Sequence, residues 1–140
     1  MALDLGEKRI GVAISDPTRT IAAGYSVISR KSRADDFARY AHLIAEQQVT
    51  LLVIGLPITL AGEEGQRASW VRDYATDLGH TIDIPIIFWD ESLTTVEATA
   101  ALRAQGRRGK KLKERVDTVA ATLILQSYLD SQAGERPNDG

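Results

Sequence analysis

Cysteine is missing altogether from the 140 residues, which excludes disulfide staples and thiolate metal sites and fits a reducing compartment. Histidine is nearly missing too, with His42 and His80 the two present, so a zinc centre would lack its usual ligands. No run of about 18 apolar residues occurs, which predicts that nothing spans a membrane. The N-terminal MALDLGEKRI has no long apolar stretch of the secretory kind, and a cytoplasmic protein is expected. Two nucleotide-binding signatures are also missing: GxGxxG, and GxxxxGK followed by Ser or Thr. The segment IGLPITLAG contains glycine but lacks the lysine of a phosphate-binding loop.

What is present suits one α/β domain. The length leaves room for a single core and no second domain. Residues 1–4 read as the end of a strand, and Leu5 to Lys8 as a glycine-containing turn. Apolar Ile10, Val12 and Ile14 alternate with Arg9, Gly11, Ala13 and Ser15, the period of a half-buried strand. Asp16-Pro17 ends it. Tyr25, Val27 and Ile28 suggest a third strand, so the first three form an antiparallel meander.

Ser32 is placed to cap a helix that buries Phe37, Ala41, Ile44 and Ala45. Leu51–Leu56 is apolar on both faces and reads as a central parallel strand. A helix over about 64–78 turns Ala68, Val71, Ala75 and Leu78 inward, and Ile84–Trp89 is a further buried strand. Thr94 and Glu97 match a capping box, predicting a helix to about Ala104. A last helix is expected from Val116 to Leu129, with Val119, Ala120, Leu123, Ile124 and Leu125 inward. The order is βββαβαβαα: a mixed five-stranded sheet flanked by helices in a domain over 1–130. Residues 131–140, SQAGERPNDG, form a polar tail expected to be disordered.

The net charge is -2, yet seven of the 17 basic residues crowd between Arg103 and Arg115 with one acid, Glu114, among them. Arg107, Arg108, Lys110, Lys111 and Lys113, with Gly106 and Gly109, predict an adaptable loop that could contact phosphates. A plain solvated loop would look the same.

Three acids stand where a purely stabilising role would not put them. Asp4 closes the first strand, Glu91 follows the last, and Asp117 lies in the first turn of the expected final helix. If the first, fourth and fifth strands run parallel, their ends share one edge. Carboxylates gathered there repel one another unless a cation lies between, and oxygen donors select Mg²⁺ or Mn²⁺. Each acid alone has a plainer account: Asp117 complements a helix dipole, Asp4 shapes a turn, and Glu91 pairs with a surface lysine. The Asp-x-Gly turn of DLGEKRIGVAISD also resembles the phosphate hairpin of actin-like ATPases, but those need two lobes. Trp70 and Trp89 read as packing residues, and neither histidine is assigned a catalytic role.

The segments LDLGEKRIGVAISDP, VIGLPITLAGEEG, WDESLTTVEA and VDTVAATLILQSYLD, in this order and spacing, resemble the YqgF/RuvX family across nearly the whole chain. Its members are described as Holliday junction resolvases and as the nuclease maturing the 5′ end of pre-16S rRNA. The resemblance implies an RNase H-like fold, divalent-metal hydrolysis of phosphodiesters and a bacterial cytoplasmic setting. It places the family's three acids on Asp4, Glu91 and Asp117, with Asp90 a fourth carboxylate nearby. The chain departs from the pattern in having three residues before the first acid, and in Ser92 where arginine is commoner.

The expected function is a nuclease holding Mg²⁺ or Mn²⁺ on Asp4, Glu91 and Asp117. Phosphate contacts come from Lys8, Arg9, Arg107, Arg108, Lys110, Lys111 and Lys113. The partner is nucleic acid, either structured RNA or branched DNA, and the protein is a monomer or a homodimer. Cutting two strands of a junction symmetrically would need the dimer. A non-catalytic nucleic-acid-binding module is the remaining alternative.

Overall fold

The computed structural model describes the backbone of residues 1–91 and 110–135 and the side chains of residues 1–91 and 118–133. Strands β1 (Ala2–Leu5), β2 (Arg9–Ser15) and β3 (Ala22–Ser29) precede helix α1 (Arg33–Glu46). Then come β4 (Leu52–Leu56), α2 (Gln66–Leu78), β5 (Ile86–Asp90) and the last described helix, α3 (Lys110–Glu135). The expected helix over Thr94–Ala104 lies outside the described residues, as do Ser92, Arg107 and Arg108.

The sheet order is β3-β2-β1-β4-β5. β1 pairs antiparallel with β2, and β2 with β3, which is the expected meander. β1, β4 and β5 are mutually parallel, so their carboxyl ends open on one edge, together with the β1–β2 turn.

Alternation along β1 divides the core. Leu3 and Leu5 join Ile10, Val12, Ile54 and Leu56 beneath α1 and α2, where Phe37, Tyr40, Val71, Tyr74 and Leu78 pack on them. Ala2 joins Ala13, Ala22 and Val53 beneath Ala121, Ile124, Leu125 and Leu129 of α3. The first face is large and branched, the second small, so α3 settles close to the strands. Gly24 shows how close: a Cβ there would stand 2.9 Å from Thr118 Cβ.

This second layer changes two expectations. β2 is buried on both faces at Val12 and Ala13 rather than half-buried, because α3 covers the side expected to meet water. β5 is half-buried along its length rather than buried, being the edge strand. A bulge at Tyr25 lets β3 serve both layers. Val12 pairs with Ser26 and Ala13 with Gly24, so the extra residue switches the alternation, and Ile28 and Ala22 reach opposite cores.

The cap expected at Ser32 is present, its side chain accepting from Asp35 N. α2 starts at Gln66 and turns Ala68, Val71, Ala75 and Leu78 inward as expected, with Tyr74 added. α3 differs at both ends. It is already helical at Lys110, so Lys110, Lys111 and Lys113 occupy its first turn rather than a loop, and Asp117 falls beyond that turn. Lysine, arginine and glutamate are good helix formers, so the helix outruns its apolar stripe. It also continues to Glu135, through residues 131–135 of the expected tail. Among the described residues no helix is long and apolar enough to cross a membrane.

Candidate metal and nucleic-acid site

Asp4 is the third residue of β1 and shares the α3 side of the sheet with Ala2. Its antiparallel partner is Gly11. The β1–β4 register pairs Leu3 with Ile54, so the next level sets Asp4 beside Gly55. Both strands flanking Asp4 therefore carry a buried glycine at its height, with no side chain of their own there.

Glu91 follows β5 directly and reaches back across Gly55. A Cβ built on Gly55 would stand 2.7 Å from Glu91 Oε1 and 2.5 Å from Ile124 Cδ1. Glycine is needed here by close approach: the absent side chain is the space in which the Glu91 carboxylate lies between β4 and α3. In that position Glu91 is hydrogen-bonded to Asp4. Two of the three expected acids, 87 positions apart in sequence, thus meet.

The meeting has an electrostatic cost. Burial first, then the negative charge of Asp4 and the hydrogen bond to it, push the Glu91 carboxyl from 4.5 up to about 7. Asp90 adds to the rise, and Arg67 opposes it. Such a pair holds a proton between its oxygens near neutral pH, as like charges at one site do. A cation with oxygen preference would relieve the same repulsion.

The third acid, Asp117, has its backbone in α3, seven residues before Ile124, and its side chain lies outside the described ones. Among the described residues no group of three acids or histidines is gathered closely enough to hold an ion. The donor set at Asp4 and Glu91 still fits a hard divalent cation: carboxylate oxygens, with no sulfur in reach. Imidazole is also absent from it. His42 is exposed on α1 beside Glu46 at 2.9 Å, and His80 is exposed beyond α2.

Lys8 and Arg9 are exposed at this edge of the sheet, in the β1–β2 turn and at the start of β2. Strand alternation sets Arg9 on the same face as Gly11, Asp4's partner. Lys110, Lys111 and Lys113 are placed by backbone in the first turn of α3. Positive charge at a helix N-terminus opposes the macrodipole, an arrangement that an anion would relieve.

Arg67 was not foreseen. It comes from α2 on the opposite side of the sheet, donates through Nη2 to the Leu5 carbonyl, and lies near enough to Glu91 to lower its proton affinity. Its signal in sequence was slight: a single arginine in the first turn of a helix whose preceding loop leaves the edge of the sheet. The tryptophans pack as expected. Trp89 Nε1 donates to Ser127 Oγ at 3.0 Å with its ring edge-on to Tyr128, and Trp70 packs against Tyr74.

A family model described as "RuvX: Holliday junction resolvase" matches residues 1–131. A protein of Roseiflexus sp., provisionally named pre-16S rRNA nuclease, is 46% identical over 132 residues, covering 94% of this chain and 94% of its own length. One of the same provisional name from Thermoanaerobacter pseudethanolicus is 47% identical over 134 residues, covering 94% and 96%. Among solved structures, Thermus thermophilus RuvC in complex with a Holliday junction substrate superposes with a TM-score of 0.61 at 12% identity, covering 94% of this chain and 93% of that one. Fowlpox virus resolvase with Holliday junction DNA gives 0.52 at 10%, covering 93% and 95%. At such identities these two structures speak for the RNase H-like fold alone.

Proposed function

Because the chain belongs to the RuvX family, we propose that it is a divalent-metal-dependent nuclease acting in the cytoplasm, hydrolysing phosphodiester bonds of structured RNA to mature the 5′ end of pre-16S rRNA. The observation that carries this is the Asp4–Glu91 carboxylate pair at the carboxyl edge of the parallel strands, with Glu91 raised to about 7. Relatives near 46% identity bearing the pre-16S rRNA nuclease name supply the substrate class.

Asp4 and Glu91 would hold one or two Mg²⁺ or Mn²⁺ ions, with Asp117 as the third ligand. The helical repeat supports that role, since residues seven apart share a side of a helix and Ile124 contacts the Gly55 position. When bound, such ions polarise the phosphate, acidify water and stabilise a leaving oxygen. The chain's own part is to orient and to neutralise. Lys8, Arg9, Lys110, Lys111 and Lys113, with Arg107 and Arg108, would bind backbone phosphates, giving affinity with little sequence reading. Gly55 leaves the room in which the Glu91 carboxylate reaches Asp4.

Asp4→Asn tests the reading. It removes one charge while preserving shape, so Mg²⁺-dependent cleavage of a 16S rRNA precursor falls to background in a protein that still folds. Full turnover by the folded variant would remove Asp4 from the site. A second reading, resolution of branched DNA, is favoured by the family description. Paired symmetric nicks on a four-way junction, with the precursor left uncut, would select it. A folded wild-type protein that cuts neither and binds no Mg²⁺ would select the non-catalytic module.

A further inference from the structure

We propose that Trp70 is a positioning residue for the site: it holds two arginines that clamp the β1–β2 turn and so preset Asp4 beside Glu91. This rests on the metal-site reading above, but the observations behind it are separate.

Three consecutive carbonyls follow Asp4, and two guanidiniums hold all of them. Arg67 Nη2 donates to Leu5 O. Arg30 Nη1 donates to Gly6 O at 3.2 Å and Glu7 O at 2.8 Å. The guanidiniums come from different elements, yet both lie against one indole, Arg30 at 4.5 Å and Arg67 at 5.1 Å from the Trp70 ring.

Arg67 also senses Glu91, but the carbonyls themselves are neutral, and an aromatic face attracts a cation that has lost its water. Arg30 is committed to this place: its Nε is buried and finds no hydrogen-bond partner among the described residues. Arg33 makes the contrast. It also approaches Trp70, at 6.0 Å, but its charge is spent on Asp73 at 3.0 Å and Asp77 at 3.3 Å, and among the described residues it makes no hydrogen bond to the turn.

The turn itself has little slack. Gly6 N donates to Arg9 O at 2.9 Å, and a Cβ on Gly6 would stand 2.5 Å from that oxygen. A shift of the clamped carbonyls therefore passes along the backbone to Asp4, two residues away. An indole on α2, outside the carboxylate site, thus sets the direction of a metal-binding side chain.

The test replaces the ring by an aliphatic side chain of similar reach, Trp70→Leu, and restores an aromatic face with Trp70→Phe. Two quantities are read on the full chain without substrate: hydrogen exchange at the Gly6 amide, and Mn²⁺ affinity by calorimetry. Trp70→Leu is expected to speed Gly6 exchange at least tenfold and to weaken Mn²⁺ binding by about tenfold, the usual effect of losing a residue behind a ligand. Trp70→Phe recovers most of both. Arg67→Lys and Arg30→Lys, which lose the planar fork, give the same pair of changes if Trp70→Leu does not fold.

Unchanged Gly6 exchange in the folded variants would overturn the clamp and leave Trp70 as packing. Loosened exchange with intact Mn²⁺ affinity would overturn the link to Asp4. A wild-type protein that binds no Mn²⁺ would refute the metal-site reading instead, while exchange at Gly6 still decides the clamp.

Discussion

Glu91→Gln should make the metal-free protein more stable at alkaline pH, although it deletes a residue of the proposed site. Protonated Glu91 hydrogen-bonds Asp4, and a glutamine amide can donate in the same place. In the native state the carboxyl titrates at about 7 against an ordinary 4.5, so below about pH 4.5 it is neutral in both folded and unfolded chains. As pH rises through that window the unfolded chain ionises freely, while the folded one must either keep its proton or place a charge beside Asp4. The stability present at low pH is lost by the time pH passes 7. At 1.36 kcal/mol per pKa unit the full shift is worth about 3 kcal/mol. Glu91 is partly open to water, and screening reduces the expectation to about 2 kcal/mol. For a chain of this size that is roughly 6 °C in Tm. Urea or thermal unfolding in EDTA from pH 4.5 to 8.5 should show the two proteins alike at the acid end and separating towards pH 8, with Glu91→Gln the more stable. Mg²⁺ at pH 8 should then raise the wild-type midpoint more than that of the variant. Parallel curves across the whole range would refute the argument, because they would mean that neither burial nor the charge of Asp4 raises the Glu91 carboxyl.

Gly55→Ala puts a methyl where the Glu91 carboxylate and Ile124 Cδ1 now lie. Overpacking should cost about 1–3 kcal/mol and weaken Mn²⁺ binding, both visible in Tm and calorimetry; no change in either would show that Glu91 is not seated there. Tyr74→Phe removes a hydroxyl that donates to the fully buried Asp36 at 3.1 Å and bonds Tyr40 at 2.9 Å. It should cost about 2 kcal/mol in urea unfolding while leaving Mn²⁺ affinity intact, and an unaltered unfolding midpoint would contradict it. Changing Lys110, Lys111 and Lys113 together to Gln should weaken RNA binding more at low salt than at high, lowering the slope of log affinity against log salt by up to about 2. It should also slightly stabilise the free protein by removing positive charge from a helix N-terminus. An unchanged slope would take these lysines off the nucleic-acid path.

Local chemistry was readable where it acts over a few residues. The alternation at Ile10, Val12 and Ile14 identified β2, the apolar run at 51–56 identified the central strand, and Ser32 identified the α1 cap. The acids Asp4 and Glu91 were picked out by their places at strand ends. Long-range consequences were not readable in the same way. That β2 is buried on both faces depends on where α3 lies, and Gly11 and Ala13 look no different from residues facing water. Asp36 resembles a solvent-facing acid in a first turn, yet it is fully buried because Lys31 N and the Tyr74 hydroxyl satisfy it. Arg67 acts on Leu5 across 62 positions, a proximity that sheet topology creates and periodicity cannot display. The bulge at Tyr25 leaves no mark in composition.

The two faces of the sheet differ in a way that bears on function. A carboxylate side chain is short, so acids from separate elements can share an ion only when their backbones come close. The α1 and α2 face is built from leucine, isoleucine and valine, which hold helices at ordinary distance. The α3 face is built from Ala2, Ala13 and Ala22 on β1 to β3 and Val53 on β4, with Gly24 and Gly55 where α3 side chains press on the strands. These small residues give up buried apolar area, which is a loss of stability. What they gain is closeness: Thr118 and Ile124 of α3, the helix that carries Asp117, occupy the space that side chains at Gly24 and Gly55 would fill. The smallness of this face is therefore what the proposed carboxylate site would require for Asp117 to join Asp4 and Glu91. Enlarging Ala13 or Gly24 would move the helix outward and weaken cation binding before it unfolded the protein.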